Sequence, residues 1–329
     1  MQAKYFYYTS LLLTLLFIMN GCKKKEYALP TVKQVLQNDC IKRSLGPNIV
    51  GQNIEFAYAI AIPAQKGTLV SAQVEASIPG APSTYLENNS YYTNGSGQDI
   101  GVQVGSPSVN KGAITEVTFT VDTTASTLRY YYSIPEEARG KTVSFTFSAK
   151  SSDGETVSYS MGPYNIAKMD IIHNLVVTDS TACYISISDT AVYNLEEAST
   201  HADKVDLVYL YRKDTAVAFN HALVAPATSP QYLPGVVLPS GVNNDTKEIK
   251  VFNLQDYDLA HLQYGVYVDD LDFQQIDFSR APDFAINLKS EAGVWAETAD
   301  GKYKAYIYIN SVNNTKKSAV ISMKRYTMK

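Results

Sequence analysis

Acidic side chains are the residues of this sequence whose spacing comes closest to that of a metal or catalytic site. Asp256 and Asp258 form one D-x-D pair, and Asp269, Asp270 and Asp272 crowd the stretch DDLDFQQIDF. Calcium takes about six to eight oxygen ligands, so a loop this rich in carboxylates could supply several. The ligand order and central glycine of an EF-hand are missing. We therefore keep these residues as metal candidates, favour solvated turns and helix ends as their explanation, and expect no cofactor.

Other residues with catalytic potential are scattered. The four histidines, His173, His201, His221 and His261, are too far apart for a zinc motif. The sequence has no G-x-S-x-G elbow, no glycine-rich phosphate loop and no catalytic-cysteine context. A glycosidase pair is defined by the spatial separation of its carboxylates, which sequence does not give. We predict no catalytic residue and a protein that is not an enzyme, with an active site assembled only by folding as the alternative.

Tyrosines are the remaining candidates, because the chain has 25 of them against one tryptophan. Most are expected in strands. Tyr85, Tyr91 and Tyr92 lie in the segment from Pro79 to Gly112, predicted as a long loop, and Tyr232 lies in a second loop, PATSPQYLPGVVLPSG. Loops on a rigid scaffold are where binding residues collect, and amphipathic rings suit sugars or peptides. We predict these four tyrosines as ligand-binding residues.

The amino terminus has the order of parts of an export signal. The run LLLTLLFIM, Leu11 to Met19, is too short to cross a bilayer, which takes about 20 apolar residues, and it follows a region with one charge, Lys4. Gly21 then precedes Cys22, an order that resembles the lipobox of bacterial lipoproteins. We predict that residues 1–21 are a signal peptide and that Cys22 is lipidated. The alternative is an ordinary secretory signal with an incidental cysteine.

A lipidated Cys22 would hold the protein on a membrane, because more than one acyl chain gives stable anchoring. Lys23, Lys24 and Lys25 either attract anionic head groups or form a solvated tether. We expect a cell-envelope location at the outer membrane, facing the periplasm or the surface. The net charge of −4 at pH 7 and the absence of a basic stripe argue against nucleic acid as a partner.

The two other cysteines are expected in the protein interior. Cys183 alternates with Ile185 and Ile187 in CYISISD, and Cys40 follows Leu36 by four residues, on one side of a predicted short helix. Two buried thiols are the favoured interpretation, although an export compartment permits a disulfide.

Residues 43–168 show the period-two alternation of strands. In VSFTFSAK, the apolar Val143, Phe145 and Phe147 alternate with polar residues, and the turn Ser152-Asp153-Gly154 predicts a hairpin with the next strand. Further strands are predicted in FAYAIAI, EVTFTV, LRYYYSI and ETVSYSM, so Tyr131 in LRYYYSI is expected to pack in a sheet. Short strands with such turns predict an immunoglobulin-like β-sandwich, preceded by a tether and short helix over residues 22–42.

Residues 169–329 have a different pattern. YISIS and VDLVYLYR, which holds Tyr209, are predicted strands, and the second is apolar on both faces, as a covered central strand would be. NLEEAST and LQDYDLAHL are predicted short helices, and KYKAYIYIN and SAVISMKRY form a predicted hairpin. We predict a mainly β protein of two tandem sandwich-like domains, the second containing short helices, with a boundary near residue 168.

Three segments resemble those of a known family: GQNIEFAYAIAI, TLRYYYSIPEEARGKTVSFTFSAKSSDGETVSYSMGPY and CYISISDTAVYNLEEASTHADKVDLVYLYR. They are similar to two-domain envelope lipoproteins from Bacteroidetes whose domains have no assigned function. The resemblance covers most of the mature chain. It implies β-rich domains on an envelope lipoprotein and brings no catalytic residues.

Three functions fit these observations. The first is a non-catalytic binding or accessory lipoprotein that captures a glycan or another envelope component, such as a protein. The second is a structural or adhesion subunit of the fimbrial kind, which would accept a partner strand at a sheet edge. The third, a hydrolase, has no motif in its favour. We expect the first.

Overall fold

The structure is a computed structural model, and it describes residues 34–213, 218–260 and 265–328. The predicted signal peptide and the predicted lipidation site, Cys22, lie outside the described residues. Within the described ranges, no helix has both the length and the apolar character needed to cross a bilayer.

The first half of the described chain is built from antiparallel strands. Their bounds are Gln37–Lys42 (β1), Asn53–Ala61 (β2), Leu69–Ala76 (β3), Tyr85–Leu86 (β4), Asn89–Thr93 (β5), Asp99–Gln103 (β6), Val109–Lys111 (β7), Ile114–Thr118 (β8), Ala125–Ser133 (β9), Thr142–Ser151 (β10) and Thr156–Asn165 (β11). They form a four-stranded sheet in the order β1-β2-β9-β4 and a five-stranded sheet in the order β11-β10-β3-β8-β7, while β5 and β6 pair as a separate hairpin.

The two sheets pack through their inward-facing residues, so this half is a β-sandwich. Along β2 every second residue is buried, and the ring of Phe56 lies 4.9 Å from that of Phe145 and 5.2 Å from that of Phe147, both on β10. Burial of each such side chain contributes about 1.5 to 3 kcal/mol. The alternation predicted for VSFTFSAK is confirmed, as is the hairpin between β10 and β11.

The predicted helix within residues 22–42 is wrong for Gln37–Lys42, which form strand β1 paired with β2. Leu36 and Cys40 are both buried, as predicted. A separation of four residues places two side chains on one side of either a helix or a strand, so this spacing could not separate the two structures. Pairing with β2 decides the conformation.

The predicted long loop from Pro79 to Gly112 is also wrong, because it contains the short strands β4 to β7. Tyr85 lies on β4, while Tyr91 and Tyr92 lie on β5. The segment is rich in glycine, asparagine and serine, which favour turns and conceal strands of two to five residues.

The second half begins after residue 166, and its ten described strands form one large sheet. Their bounds are Asp170–Thr178 (β12), Ala182–Ser186 (β13), Ala191–Asn194 (β14), Leu207–Arg212 (β15), Asn220–Val224 (β16), Lys247–Phe252 (β17), Phe284–Leu288 (β18), Ala292–Glu297 (β19), Tyr303–Asn313 (β20) and Ser318–Thr327 (β21). The described α-helices are Leu195–Thr200 (α1), Tyr257–Ala260 (α2) and Asp270–Gln275 (α3). Short 3-10 turns lie at Ala202–Lys204 and Pro230–Tyr232 in this half and at Glu136–Ala138 in the first half.

This sheet curls until its two ends meet. Its order is β17-β19-β20-β21-β12-β13-β15-β16-β18, with β14 added beside β13. Between the end strands, Glu248 N donates to Pro282 O at 2.7 Å and Lys250 Nζ donates to Ile286 O at 2.7 Å. The predicted mainly β fold with short helices is confirmed, but the second half is a nearly closed barrel where the sequence predicted a sandwich.

The barrel is filled by apolar side chains and covered on part of its outer face. Strand β15 is buried on both faces, as predicted for VDLVYLYR, and Tyr209 is 1% exposed. Outside the barrel, Phe273 of α3 packs on Trp295, and Ile49 from the first half joins the same apolar cluster. The helices in NLEEAST and YDLA and the hairpin of β20 and β21 are confirmed.

Candidate functional site

The outward face of the first sheet carries a group of side chains that we call the tyrosine–arginine face: Tyr85, Tyr91, Arg129 and Tyr131. Leu128, Tyr130 and Tyr132 of β9 are buried in the sandwich core. Because successive residues of a strand point to opposite faces, Arg129 and Tyr131 point outward. Tyr131 lies within a strand, as predicted, and its half-buried side chain packs on the outer face of the sheet.

Tyr85 and Tyr131 form a stacked pair at the edge of this sheet. They are register partners on β4 and β9, and their ring centroids lie 4.8 Å apart with 16° between the planes. Aromatic pairs of this kind contribute about 0.5 to 1.5 kcal/mol beyond their burial. Tyr85 nevertheless remains 41% exposed, so the stack presents aromatic surface to solvent.

Tyr91 and Arg129 form a second contact beside this stack. The Arg129 guanidinium lies 3.7 Å from the centroid of the Tyr91 ring, a cation–π contact, and it also pairs with the Asp99 carboxylate. The other neighbour of the ring is Gly101, where a Cβ atom would lie 3.0 Å from Tyr91 Cε1. Glycine at this register position lets the ring lie close to the backbone of β6.

Carboxylates give the face acceptors beside its donors. A hydrogen bond with Glu87, aided by burial, raises the pKa of Tyr91, and burial raises the pKa of Tyr85, with Tyr131, Glu87 and Glu55 adding to the rise. Both hydroxyls are therefore protonated donors at neutral pH. Hydrogen bonding from Thr93, with Arg129 adding to it, holds the pKa of Asp99 below its usual range.

A shallow groove lies further along the same sheet, at the ends of β1, β2 and β9. The register partners of Tyr131, Arg129 and Thr127 on β2 are Glu55, Ala57 and Ala59, so small side chains lie beside Arg129 and Thr127. The groove has a volume of about 490 Å³ and is lined by residues that include Asp39, Ala59, Ala61, Ala125 and Thr127.

The other two predicted tyrosines lie elsewhere. Tyr92 follows Tyr91 on β5 and therefore points to the opposite side of the hairpin, where it is 56% exposed. Tyr232 lies in the second half and stacks on Phe284, with ring centroids 3.8 Å apart. The structure thus brings together Tyr85 and Tyr91 and separates Tyr92 and Tyr232 from them.

The three acids considered for calcium have other partners. Asp269 caps α3 by accepting from Leu271 N at 2.8 Å, and Asp272 Oδ2 accepts from Asp269 N at 2.8 Å, which completes a capping box. Asp270 Oδ2 accepts from Lys168 N at 2.7 Å. In the described part of the chain, no three His, Cys, Asp or Glu side chains converge as a metal site.

The D-x-D pair belongs to a buried ion pair. Lys324 Nζ lies 2.7 Å from both carboxylate oxygens of Asp256 and donates to Val268 O at 2.9 Å, and Lys324 and Asp256 side chains are 0% exposed. Asp258 Oδ2 lies 3.6 Å from the same ammonium. These carboxylates hold the covering segment on the outer face of the barrel.

His221 is the histidine with the most defined surroundings. Tyr209 Oη donates to His221 Nδ1 at 2.6 Å, and His221 Nε2 donates to Asn314 Oδ1 at 2.7 Å, since an amide oxygen only accepts. The side chain is 2% exposed, and burial lowers its pKa although the bond to Asn314 opposes this. It is a neutral link between β16 and the β20–β21 turn. His261 lies outside the described residues.

The remaining cysteines, Cys40 and Cys183, are free and buried, as expected for interior thiols. Burial raises the pKa of Cys40 to about 12, so this thiol is a poor nucleophile.

A second pocket, at one end of the barrel, was not found from the sequence. It has a volume of about 280 Å³ and is lined by polar residues that include Asp189, Lys204, Asp206, Asp300 and Tyr303. Burial raises the pKa of Asp206 to about 7, but its Oδ2 accepts from Ile187 N at 2.7 Å. Lys204 pairs with Asp189 at 2.9 Å. The charged groups of this pocket are largely paired with one another, so we favour the tyrosine–arginine face as the candidate binding site.

Arg129 was not predicted as a site residue, and Tyr131 was predicted in a strand without its outward direction. The signal was present in TLRYYYS, where an apolar alternation of Leu128, Tyr130 and Tyr132 forces the two residues between them outward. A run of three tyrosines is ambiguous on its own, because either register buries aromatic rings.

Comparison with known proteins agrees with the division of the chain. The family model described as domain of unknown function DUF4466 matches residues 33–166, and that described as domain of unknown function DUF8576 matches residues 167–328. A crystal structure of a DUF4466 family protein from Parabacteroides merdae is 51% identical, has a TM-score of 0.83, and covers 90% of this chain and 99% of that chain.

Other similarities are remote. The major pilin subunit BcpA of Bacillus cereus is 7% identical, with a TM-score of 0.27 over 88% of this chain and 66% of that chain, too low to support any argument. No curated protein sequence matches the chain. The predicted resemblance to a two-domain Bacteroidetes family is confirmed at the level of domains of unknown function, and the chain belongs to the DUF4466 family.

Proposed function

We propose that this protein is a non-catalytic binding protein that holds a glycan of the cell envelope or its surroundings on the tyrosine–arginine face. The observation that carries the proposal is the exposed Tyr85–Tyr131 stack beside the Tyr91–Arg129 contact on one rigid sheet. Of the buried polar groups, Asp256 forms an ion pair, Asp206 accepts a backbone hydrogen bond and His221 links two strands, which favours binding over catalysis.

The chemistry of the face fits a sugar chain. The apolar side of a pyranose ring stacks on an aromatic ring, while its hydroxyl groups accept from Arg129 and donate to carboxylates such as Glu87 and Asp99. From Tyr131 to Thr127 the face and groove span about 13 Å, enough for more than one sugar ring.

Envelope anchoring is the second element of the proposal. It is supported by the apolar run, Gly21 and Cys22 in the sequence. We expect Cys22→Ala to move the protein from the membrane fraction to the soluble fraction, measured by fractionation and by labelling with a palmitate analogue. A variant that still labels and stays with membranes would contradict lipidation at Cys22.

A structural or adhesion subunit is the alternative, and the described sheet edges of the sandwich give it little support. Strand addition needs a long free edge. Edge strand β4 has 2 residues and β7 has 3, and β11 contains Gly162-Pro163. Strand β1 carries Asp39 and Lys42. Short, charged or proline-containing edges are those that proteins use to prevent strand pairing.

The test is a glycan-array screen of the mature chain followed by calorimetric titration of the best ligand. Loss of an aromatic anchor at the centre of an interface costs about 2 kcal/mol, so Tyr85→Ala and Tyr131→Ala should each weaken binding about thirtyfold. Tyr92→Ala is the matched control, since it removes the same side chain from the other side of the hairpin and should leave affinity unchanged.

Stability measurements separate binding from folding in the same variants. The thermal midpoints of Tyr85→Ala and Tyr131→Ala should stay within a few degrees of the parent, because both side chains lie on the surface. The proposal fails if no glycan binds in the screen, or if Tyr92→Ala loses affinity and the two face variants do not.

A further inference from the structure

A buried carboxylate lies at the barrel seam, the place where the end strands β17 and β18 of the sheet come together. Glu248 on β17 is 0% exposed, and neither of its carboxylate oxygens has a hydrogen-bond partner among the described residues. An unpaired buried carboxylate is costly, so such a group is either protonated or bound to a cation. Nothing in the proposed glycan-binding function uses it.

Three chain segments surround this carboxylate. Glu248 N donates to Pro282 O at 2.7 Å, and Ala225 N donates to Asp283 O at 2.9 Å, which brings residues 225, 248 and 283 to one place. The Ala225 amide lies near the Glu248 carboxylate and opposes its pKa rise, but its hydrogen bond goes to Asp283 O.

The same place is rich in oxygen atoms. Thr228 Oγ1 donates to Asp283 Oδ1 at 2.8 Å. Thr246 lies two residues before Glu248 and so on the same face of the strand, and its Oγ1 is buried without a hydrogen-bond partner in the described ranges. Asp283 is half-buried, so it is closer to solvent than the fully buried Glu248.

We propose that Glu248 and Asp283, with the hydroxyls of Thr228 and Thr246, bind a divalent cation of the calcium type at the barrel seam. Hard cations take carboxylate, hydroxyl and carbonyl oxygens, and calcium accepts the irregular geometry that three separate segments provide. The site has two carboxylates, which is why no cluster of three acidic or histidine side chains marks it. The cation joins β17 to the start of β18, next to the hydrogen bond from Glu248 N to Pro282 O.

The electrostatics of the site agree with this assignment. Burial raises the pKa of Glu248 well above its ordinary value, and the nearby Asp283 carboxylate raises it further. A bound cation reverses both effects, since it favours the charged form of each carboxylate. In the metal-free protein, stability is therefore expected to fall as pH rises through the folded-state pKa of Glu248, and calcium should remove that loss.

The experiment uses the mature full chain, stripped with EDTA and titrated with Ca²⁺ at neutral pH. Ca²⁺ should raise the thermal midpoint in a saturable way, and Tb³⁺ should bind with sensitised emission that Ca²⁺ competes away. Trp295, the one tryptophan of the chain, is the register partner of Ile249, so its side chain lies on the opposite face of the sheet from Glu248, one residue along the strand.

Substitutions test whether Glu248 binds a cation or is a neutral, protonated acid. Glu248→Gln keeps the shape of the side chain and should lower Tb³⁺ affinity at least tenfold while removing the Ca²⁺ effect, and Asp283→Asn, at the half-buried position, should weaken both. Asp245→Asn removes a nearby exposed carboxylate that pairs with Lys247 and should behave as the parent. The proposal is overturned if the parent shows no saturable response, or if Glu248→Gln responds to Ca²⁺ as the parent does.

Discussion

The two halves of the molecule differ in the polar and charged side chains that they bury, although both bury tyrosines such as Tyr130 and Tyr209. In the sandwich, the outward face of the first sheet leaves Tyr85 partly exposed on Tyr131. In the barrel, polar groups of comparable size are enclosed: Lys324 and Asp256 are fully buried together, and His221 is held between Tyr209 and Asn314.

This difference follows from the two architectures. A sandwich buries one face of each sheet and leaves the other to solvent, so aromatic residues can remain there for contact with a ligand. A closed barrel fills its interior, and here a covering segment with α2 and α3 also buries part of its outside. The sandwich therefore has the freer surface for binding, while the polar groups of the barrel mainly contribute to stability.

The largest effect that tests this comparison is expected at Lys324. Lys324→Ala removes the partner of two acids, Asp256 and Asp258, and leaves them buried without their cation. Breaking a buried pair costs about 3 to 5 kcal/mol, and we expect the upper end of that range because two carboxylates lose their partner. Chemical denaturation of the variant and the parent measures the difference.

The exposed pair Lys302–Asp300 is the control for that measurement, since its side chains are 61% and 49% exposed. Lys302→Ala should change the unfolding free energy by about 0 to 1 kcal/mol. Equal losses in the two variants would mean that burial does not distinguish the barrel's ion pairs, and the stabilising role assigned to the buried pair would fail.

Two neighbouring tyrosines give the next test, within a single strand. Tyr130 is 1% exposed in the sandwich core, whereas Tyr131 lies on the tyrosine–arginine face. Tyr130→Ala should destabilise the protein by about 3 kcal/mol through the cavity it leaves. Tyr131→Ala should cost only its stacking on Tyr85, about 0.5 to 1.5 kcal/mol. Similar losses at both positions would place Tyr131 in the core and remove it from the candidate site.

Much of the fold follows from local sequence. Strands β10 and β15 were predictable from consecutive residues. Apolar and polar residues alternate along β10, and β15 is apolar on both faces. The curling of the second sheet into a barrel was not predictable, because it depends on strand order and on pairing between residues more than 100 positions apart, such as β12 with β21. Strand β1 was missed because its pairing with β2 overrides local preference.

The candidate site was predicted in part. Tyr85 and Tyr91 were selected for lying in a supposed loop, yet they meet because β4 and β5 run beside β9. The contact between Arg129 and Tyr91 could not be predicted from the sequence, because a cation–π contact depends on the distance between the two side chains in the folded protein. The role of Asp256 was hidden for the same reason: its partner Lys324 is 68 residues away, and a D-x-D pair looks alike in a metal loop and an ion pair.

The smallest expected effect concerns His221 and the pH dependence of the barrel. Burial lowers the pKa of His221 below its unfolded value of about 6.5, so the unfolded chain binds a proton more readily than the native protein. The contribution of this residue to stability is therefore complete above about pH 6.5 and is lost as pH falls below that value toward the native pKa. Protonation would also give Nδ1 a hydrogen, which conflicts with the bond that Tyr209 Oη donates there.

Unfolding free energies measured between about pH 7 and pH 5 should fall more steeply for the parent than for His221→Gln, which does not titrate. Parallel curves for the two proteins would show that protonation of His221 does not destabilise the native protein. His221 would then not be one of the barrel's enclosed polar groups.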